Sequence, residues 1–111
     1  MNSGKSSRKL QEVNENQLKE IWNSTQIVIT LAYTPICGTC QVAKRMLEVV
    51  SNLLPQVPFL QINLNYYGEL AQKYEIMSVP CLMIHHQGEC VEKVYTFISV
   101  SFLYKKITSY L

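Results

Sequence analysis

Ile27-Val28-Ile29-Thr30-Leu31-Ala32-Tyr33-Thr34-Pro35-Ile36-Cys37-Gly38-Thr39-Cys40 is the stretch that decides the fold. Its first seven residues are β-branched, aliphatic or aromatic without polar alternation, as expected of a central strand buried on both faces. Pro35 and Gly38 then punctuate the chain. From Cys40 onward apolar residues fall at 42, 43, 46, 47, 49, 50, 53 and 54, a helical period with one broad buried stripe. Lys44, Arg45 and Glu48 lie on the wet side, and Pro55 ends the pattern. Cys37 and Cys40 therefore stand at a strand-to-helix junction, close enough to pair with little backbone movement. A helix N-terminus offers unpaired N–H groups and partial positive charge, which favour a thiolate over a thiol. The thiolate is the nucleophile of disulfide exchange, so Cys37, on the outer side of the turn, is expected to attack. Cys40, one turn in and better covered, is expected to resolve the mixed disulfide. The same spacing also suits a metal site or an inert buried pair.

Outward from this junction the chain alternates. Residues 1–9 are Ser/Lys/Arg/Gly-rich and read as a flexible leader, with a single domain over residues 10–111. Residues 10–13 are a short first strand. Asn14 caps a helix over residues 15–23, with Leu18, Ile21 and Trp22 inward. Residues 58–64 form a second buried strand, parallel to the first through a right-handed crossover. Residues 66–74 are a short helix with Leu70, Ala71 and Tyr74 inward. After Pro80, residues 81–85 are a strand; Gln87-Gly88 turns it into an antiparallel return over residues 90–97. Ser99 caps a last helix with Val100, Leu103, Ile107 and Leu111 on its apolar face. The order is β-α-β-α-β-α-β-β-α, an α/β fold with a central mixed sheet, parallel strands plus a C-terminal antiparallel hairpin, flanked by helices.

A chain of 111 residues with 48% hydrophobic content is long enough to bury a core without disulfide staples. Its net charge of +2 is too mild to argue for nucleic acid, and no apolar run approaches membrane-spanning length. The first nine residues lack the apolar run of a secretory signal. A cytoplasmic location is expected, and in that reducing setting a Cys-x-x-Cys is catalytic or metal-binding. All eight acidic residues are glutamate; there is no aspartate.

Four features in register resemble the thioredoxin family over roughly residues 10–111. They are the strand, Cys37-Gly38-Thr39-Cys40 and long helix; the parallel strand ending near Asn65; Ser78-Val79-Pro80 before the hairpin; and Gly88 at its tip. The resemblance implies a cis Pro80 beside the dithiol, which keeps other ligands off Cys37, and a Val79 backbone that pairs with an extended substrate segment. Ile36, Gly38 and Thr39 join Val79 and Pro80 as expected substrate-binding residues, and Cys37 and Cys40 are the expected catalytic pair. The chain also departs from the family. Ile36 replaces a tryptophan, and Thr39 replaces the proline between the cysteines. Leu31 stands where a buried aspartate helps deprotonate the resolving cysteine, and Gln61 where a lysine pairs with that aspartate. Arg45 replaces a helix-kinking proline, and Thr96, between Tyr95 and Phe97, replaces a glycine beside the groove. These changes imply a straighter helix, a narrower groove, water as base for the resolving step, and a potential less reducing than thioredoxin's about −270 mV.

The expected activity is thiol–disulfide oxidoreduction, protein-disulfide reduction or exchange, contributing to cell redox homeostasis. Its substrate would be a disulfide-containing protein or low-molecular-weight thiol, and its electron donor an external reductase or thiol, with no bound cofactor or metal. A monomer is expected. The alternatives are a redox-inactive adaptor that uses the same groove, and a metal or iron–sulfur carrier. Cys81 reads as a small core residue, otherwise as a third redox thiol. His85 and Cys90 read as cross-strand neighbours rather than half a zinc site. His86 reads as a solvated turn residue.

Overall fold

A computed structural model describes residues 8–111, so residues 1–7 of the expected leader lie outside it. The elements are β1 (Gln11–Glu12), α1 (Glu15–Ser24), β2 (Ile27–Tyr33), α2 (Gly38–Leu53), β3 (Phe59–Asn63), α3 (Gly68–Lys73), β4 (Cys81–His86), β5 (Glu89–Val94) and α4 (Val100–Thr108). They build a five-stranded sheet in the order β1-β3-β2-β4-β5. β3 runs parallel to β1 and β2, whereas β4 is antiparallel to β2 and β5. The mixed sheet expected from the sequence is present, with helices on both faces.

β2 is buried throughout except at Tyr33, because each of its faces is covered. Ile27, Ile29 and Leu31 pack with Leu47 of α2 and Leu103 of α4; Val28 and Ala32 pack with Leu18 of α1 and Leu70 of α3. This two-residue alternation feeding two separate cores is why the run carries no polar beat.

Local chemistry fixes the element ends. Asn14 and Gln17 form a reciprocal capping box on α1, and the Ser99 side chain accepts from Phe102 N–H at the start of α4. The β4–β5 hairpin turns through Gln87 and Gly88 with φ of 53° and 88°, the left-handed pair that a two-residue turn needs. At the far end of α2, Arg8 donates to the carbonyls of Ser51, Leu54 and Val57 at 2.8–3.0 Å. Its guanidinium thus adds to the backbone N–H bonds that Ser51 O and Leu54 O already accept, and ties the helix end to the loop before β3.

Several expected boundaries move. The first strand shrinks to two residues, although Leu10 and Val13 on either side are buried. The helix expected over residues 66–74 is split into a 3-10 turn at Leu64–Tyr66 and the six-residue α3. The return strand ends at Val94, leaving residues 95–99 as a loop, and α4 stops at Thr108 with Leu111 exposed beyond it. On α2, Val42, Val49 and Leu53 are 43, 51 and 57% exposed, so the buried stripe is narrower than the apolar pattern. At about 100° per residue they lie roughly 90–130° round from the midline through Ala43, Leu47, Val50 and Leu54.

His85 is the least expected core member. It is 1% exposed, stacks on Trp22 at 3.7 Å between ring centroids, and neither ring nitrogen has a hydrogen-bond partner among the described residues. Burial lowers its pKa to about 4. The fold therefore holds the neutral ring, while the unfolded chain takes up a proton below about pH 6.5. Stability should fall as the pH drops from about 6.5 to about 4, by about 3 kcal/mol from this group. His85→Phe should keep the stack and remove that slope, which urea unfolding of both proteins across this range measures. An equal slope in the variant would contradict the assignment.

Candidate active site

Cys37 is the N-cap of α2, so the helix starts two residues earlier than the apolar period indicated. The Cys40 N–H donates to Cys37 Sγ at 3.1 Å, and Thr39 Oγ1 lies 3.4 Å from the same sulfur. Both contacts, with the 16-residue helix behind them, place positive potential at Cys37 Sγ. The two cysteines are paired as a disulfide with Cα atoms 5.2 Å apart. Cys37 is half-buried and Cys40 is buried, so Cys37 is the more accessible of the two.

Thr39, Val42, Val79, Pro80, Tyr95, Thr96 and Phe97 line an open cleft of about 470 Å³ beside this pair. No charged side chain lines it. The Val79–Pro80 peptide bond is cis. Ile36, at 96% exposure, and Gly38 are exposed at the dithiol but do not line the cleft, so the expected binding residues divide between the cleft wall and the surface next to the disulfide. Val42 is the wall residue that sequence reasoning placed in the core. Its apolar type carried no signal against that.

The departures expected behind Cys40 take a defined form. Leu31 is fully buried and is the register partner of Gln61 on β3, whose own partner on β1 is Glu12. Gln61 Nε2 and Tyr33 Oη both donate to Glu12 Oε1 at 2.7 Å. A carboxylate therefore does stand in the row that crosses Leu31, two strands away. The lack of aspartate concealed it, because the glutamate comes from a different strand.

The other thiols are placed differently. Cys81 is fully buried and its pKa is pushed up to about 11, mainly by burial, with a Tyr95 side-chain hydrogen bond in partial opposition. Cys90 faces His85 across the hairpin and donates to Glu92 O at 3.6 Å, and burial raises its pKa as well. Neither stands at a helix N-terminus as Cys37 does. Among the described residues no three His, Cys, Asp or Glu side chains gather to hold a metal.

The model of the thioredoxin family matches residues 8–109. The chain belongs to the thioredoxin family. It is 44% identical over 98 residues to thioredoxin-like protein YusE of Bacillus subtilis, covering 88% of this chain and 91% of that one. It is also 32% identical over 69 residues to thioredoxin-1 of Saccharomyces cerevisiae, covering 62% of this chain and 67% of that one. The fold matches a thioredoxin mutant from Halobacterium salinarum with a TM-score of 0.83 at 24% identity, covering 92% and 90% of the two chains. In this thioredoxin-family chain the paired Cys37 and Cys40 supply the chemistry of a thiol–disulfide oxidoreductase. No helix among the described residues is long and apolar enough to cross a membrane.

Proposed function

We propose that the protein reduces or exchanges disulfides in polypeptide substrates and so contributes to redox homeostasis in a reducing cytoplasm. The observation that carries this reading is the half-buried Cys37 sulfur, held by the Cys40 N–H at 3.1 Å beside an uncharged cleft. In the reduced form the Cys37 thiolate attacks one sulfur of the substrate disulfide, and the other sulfur leaves as a thiolate that takes a proton from water. The Cys40 thiol then loses its proton to water and attacks Cys37 Sγ. This forms the Cys37–Cys40 disulfide and releases the second substrate thiol. Two electrons pass to the substrate, and an external dithiol, a reductase or a small thiol, restores the pair.

Ile36, Gly38, Thr39, Val79 and Pro80 are proposed to contact the substrate, with the Val79 backbone pairing with an extended segment. The donors at Cys37 Sγ favour its thiolate and with it the reduced state, consistent with a potential less reducing than about −270 mV. Charged Glu89, Glu92 and Lys93 on edge strand β5 oppose strand pairing between copies and support a monomer. Dithiothreitol-driven reduction of insulin tests the reading: the protein should accelerate insulin precipitation at catalytic concentration. No acceleration would leave a binding module that uses the same cleft.

A further inference from the structure

Residues 74–78 join α3 to the cis Val79–Pro80 bond; Tyr74 and Ile76 pack on the core, and the other three are exposed. Met77 is 83% exposed, and Glu75 and Ser78 are also exposed. Glu75 adopts φ 54°, the left-handed conformation that closes α3, with Ile76 N–H donating to Ala71 O at 2.8 Å. Two side chains from β5 and the loop just after it reach across to this turn. Lys93 Nζ donates to Tyr74 O at 2.7 Å and to Glu75 O at 3.3 Å. Tyr95 Oη accepts from Met77 N–H at 3.1 Å and donates to Glu75 O at 3.5 Å. Lys93 and Tyr95 are two residues apart, so they project to the same side and grip successive parts of one turn.

The contacts are directed at backbone. They satisfy two carbonyls and one N–H immediately before the dipeptide that walls the cleft. Tyr74 and Ile76 already anchor the turn by apolar packing; Lys93 and Tyr95 in addition fix main-chain position itself, a few residues from Val79. Resting on the proposed reductase reading, we infer that Lys93 and Tyr95 are positioning residues. They set the Val79–Pro80 backbone for an extended polypeptide disulfide, and Lys93, which lies outside the cleft wall, is dispensable for a small disulfide that needs only Cys37.

The test compares insulin with 5,5′-dithiobis(2-nitrobenzoate), using reduced protein and variants shown to be folded by circular dichroism. Lys93→Met should lower kcat/KM for insulin about tenfold, mostly through KM, and leave the rate with the small disulfide within about twofold. Tyr95→Phe, which keeps the ring and loses the hydroxyl, should lower kcat/KM for insulin by a similar factor of about ten. Lys93→Arg keeps a cationic donor and should restore the insulin value to within about threefold of the parent. Parallel loss with both substrates, or no change with insulin, would overturn the positioning role. Inactivity of the parent protein with insulin would instead overturn the reductase reading, and the positioning role with it.

Discussion

Replacing Cys37 with serine is expected to reduce insulin turnover to the uncatalysed dithiothreitol rate, a loss of about 10³-fold or more. The attack step needs a sulfur anion, and a serine hydroxyl at the N-cap of α2 is essentially un-ionised at neutral pH. The helix start survives the change, because serine is a good N-cap and can accept the Cys40 N–H in place of Sγ. The loss would therefore be chemical rather than structural. No other thiol is placed to rescue it: Cys40, freed by the change, is buried, Cys81 is fully buried with a pKa of about 11, and Cys90 is half-buried on the far hairpin with its pKa raised. Residual turnover above about a tenth of the parent rate would show that another residue attacks.

Cys40→Ser is expected to fail at the next step. Its Cys37 thiolate keeps the backbone donor of residue 40 and the Thr39 hydroxyl, so attack on a substrate disulfide proceeds. Without a second sulfur one turn into the helix, the mixed disulfide has no internal route to resolution. Turnover should fall about 10²-fold or more, and a one-to-one covalent complex with a disulfide substrate should accumulate. Non-reducing electrophoresis and intact mass measure it, and dithiothreitol should release it. Turnover loss without an adduct would mean that Cys37 does not attack first.

Much of this site is legible in the sequence because its signals are local. The unbroken apolar run of residues 27–33, the cysteine spacing and the Gln87-Gly88 turn each state a geometry within a few residues, and the structure places them accordingly. The start of α2 was less legible, since the cap is a cysteine and not one of the usual capping residues. Val42 has the residue type of a core position and the environment of a cleft wall. Only the angular width of the buried stripe, set by what packs on α2, separates the two. Glu12, Glu75, Lys93 and Tyr95 were invisible for another reason. Their contacts join residues 18 to 49 apart, and a left-handed glutamate leaves no mark that propensity can read.

The departures from the family pattern become physically coherent in the structure. Gln61 offers an amide where a lysine would require a buried counter-charge, and Glu12 receives that amide at 2.7 Å. Thr39 replaces a rigid proline with a hydroxyl 3.4 Å from Cys37 Sγ. Both changes leave the sulfur chemistry available while altering what surrounds it.

The most direct test is to equilibrate the protein across glutathione redox buffers, trap the free thiols and map each cysteine by mass. The account predicts one two-electron transition between the Cys37–Cys40 disulfide and its dithiol, at a potential above about −270 mV, with Cys81 and Cys90 as thiols throughout. Failure to form a Cys37–Cys40 disulfide at any poise would contradict it.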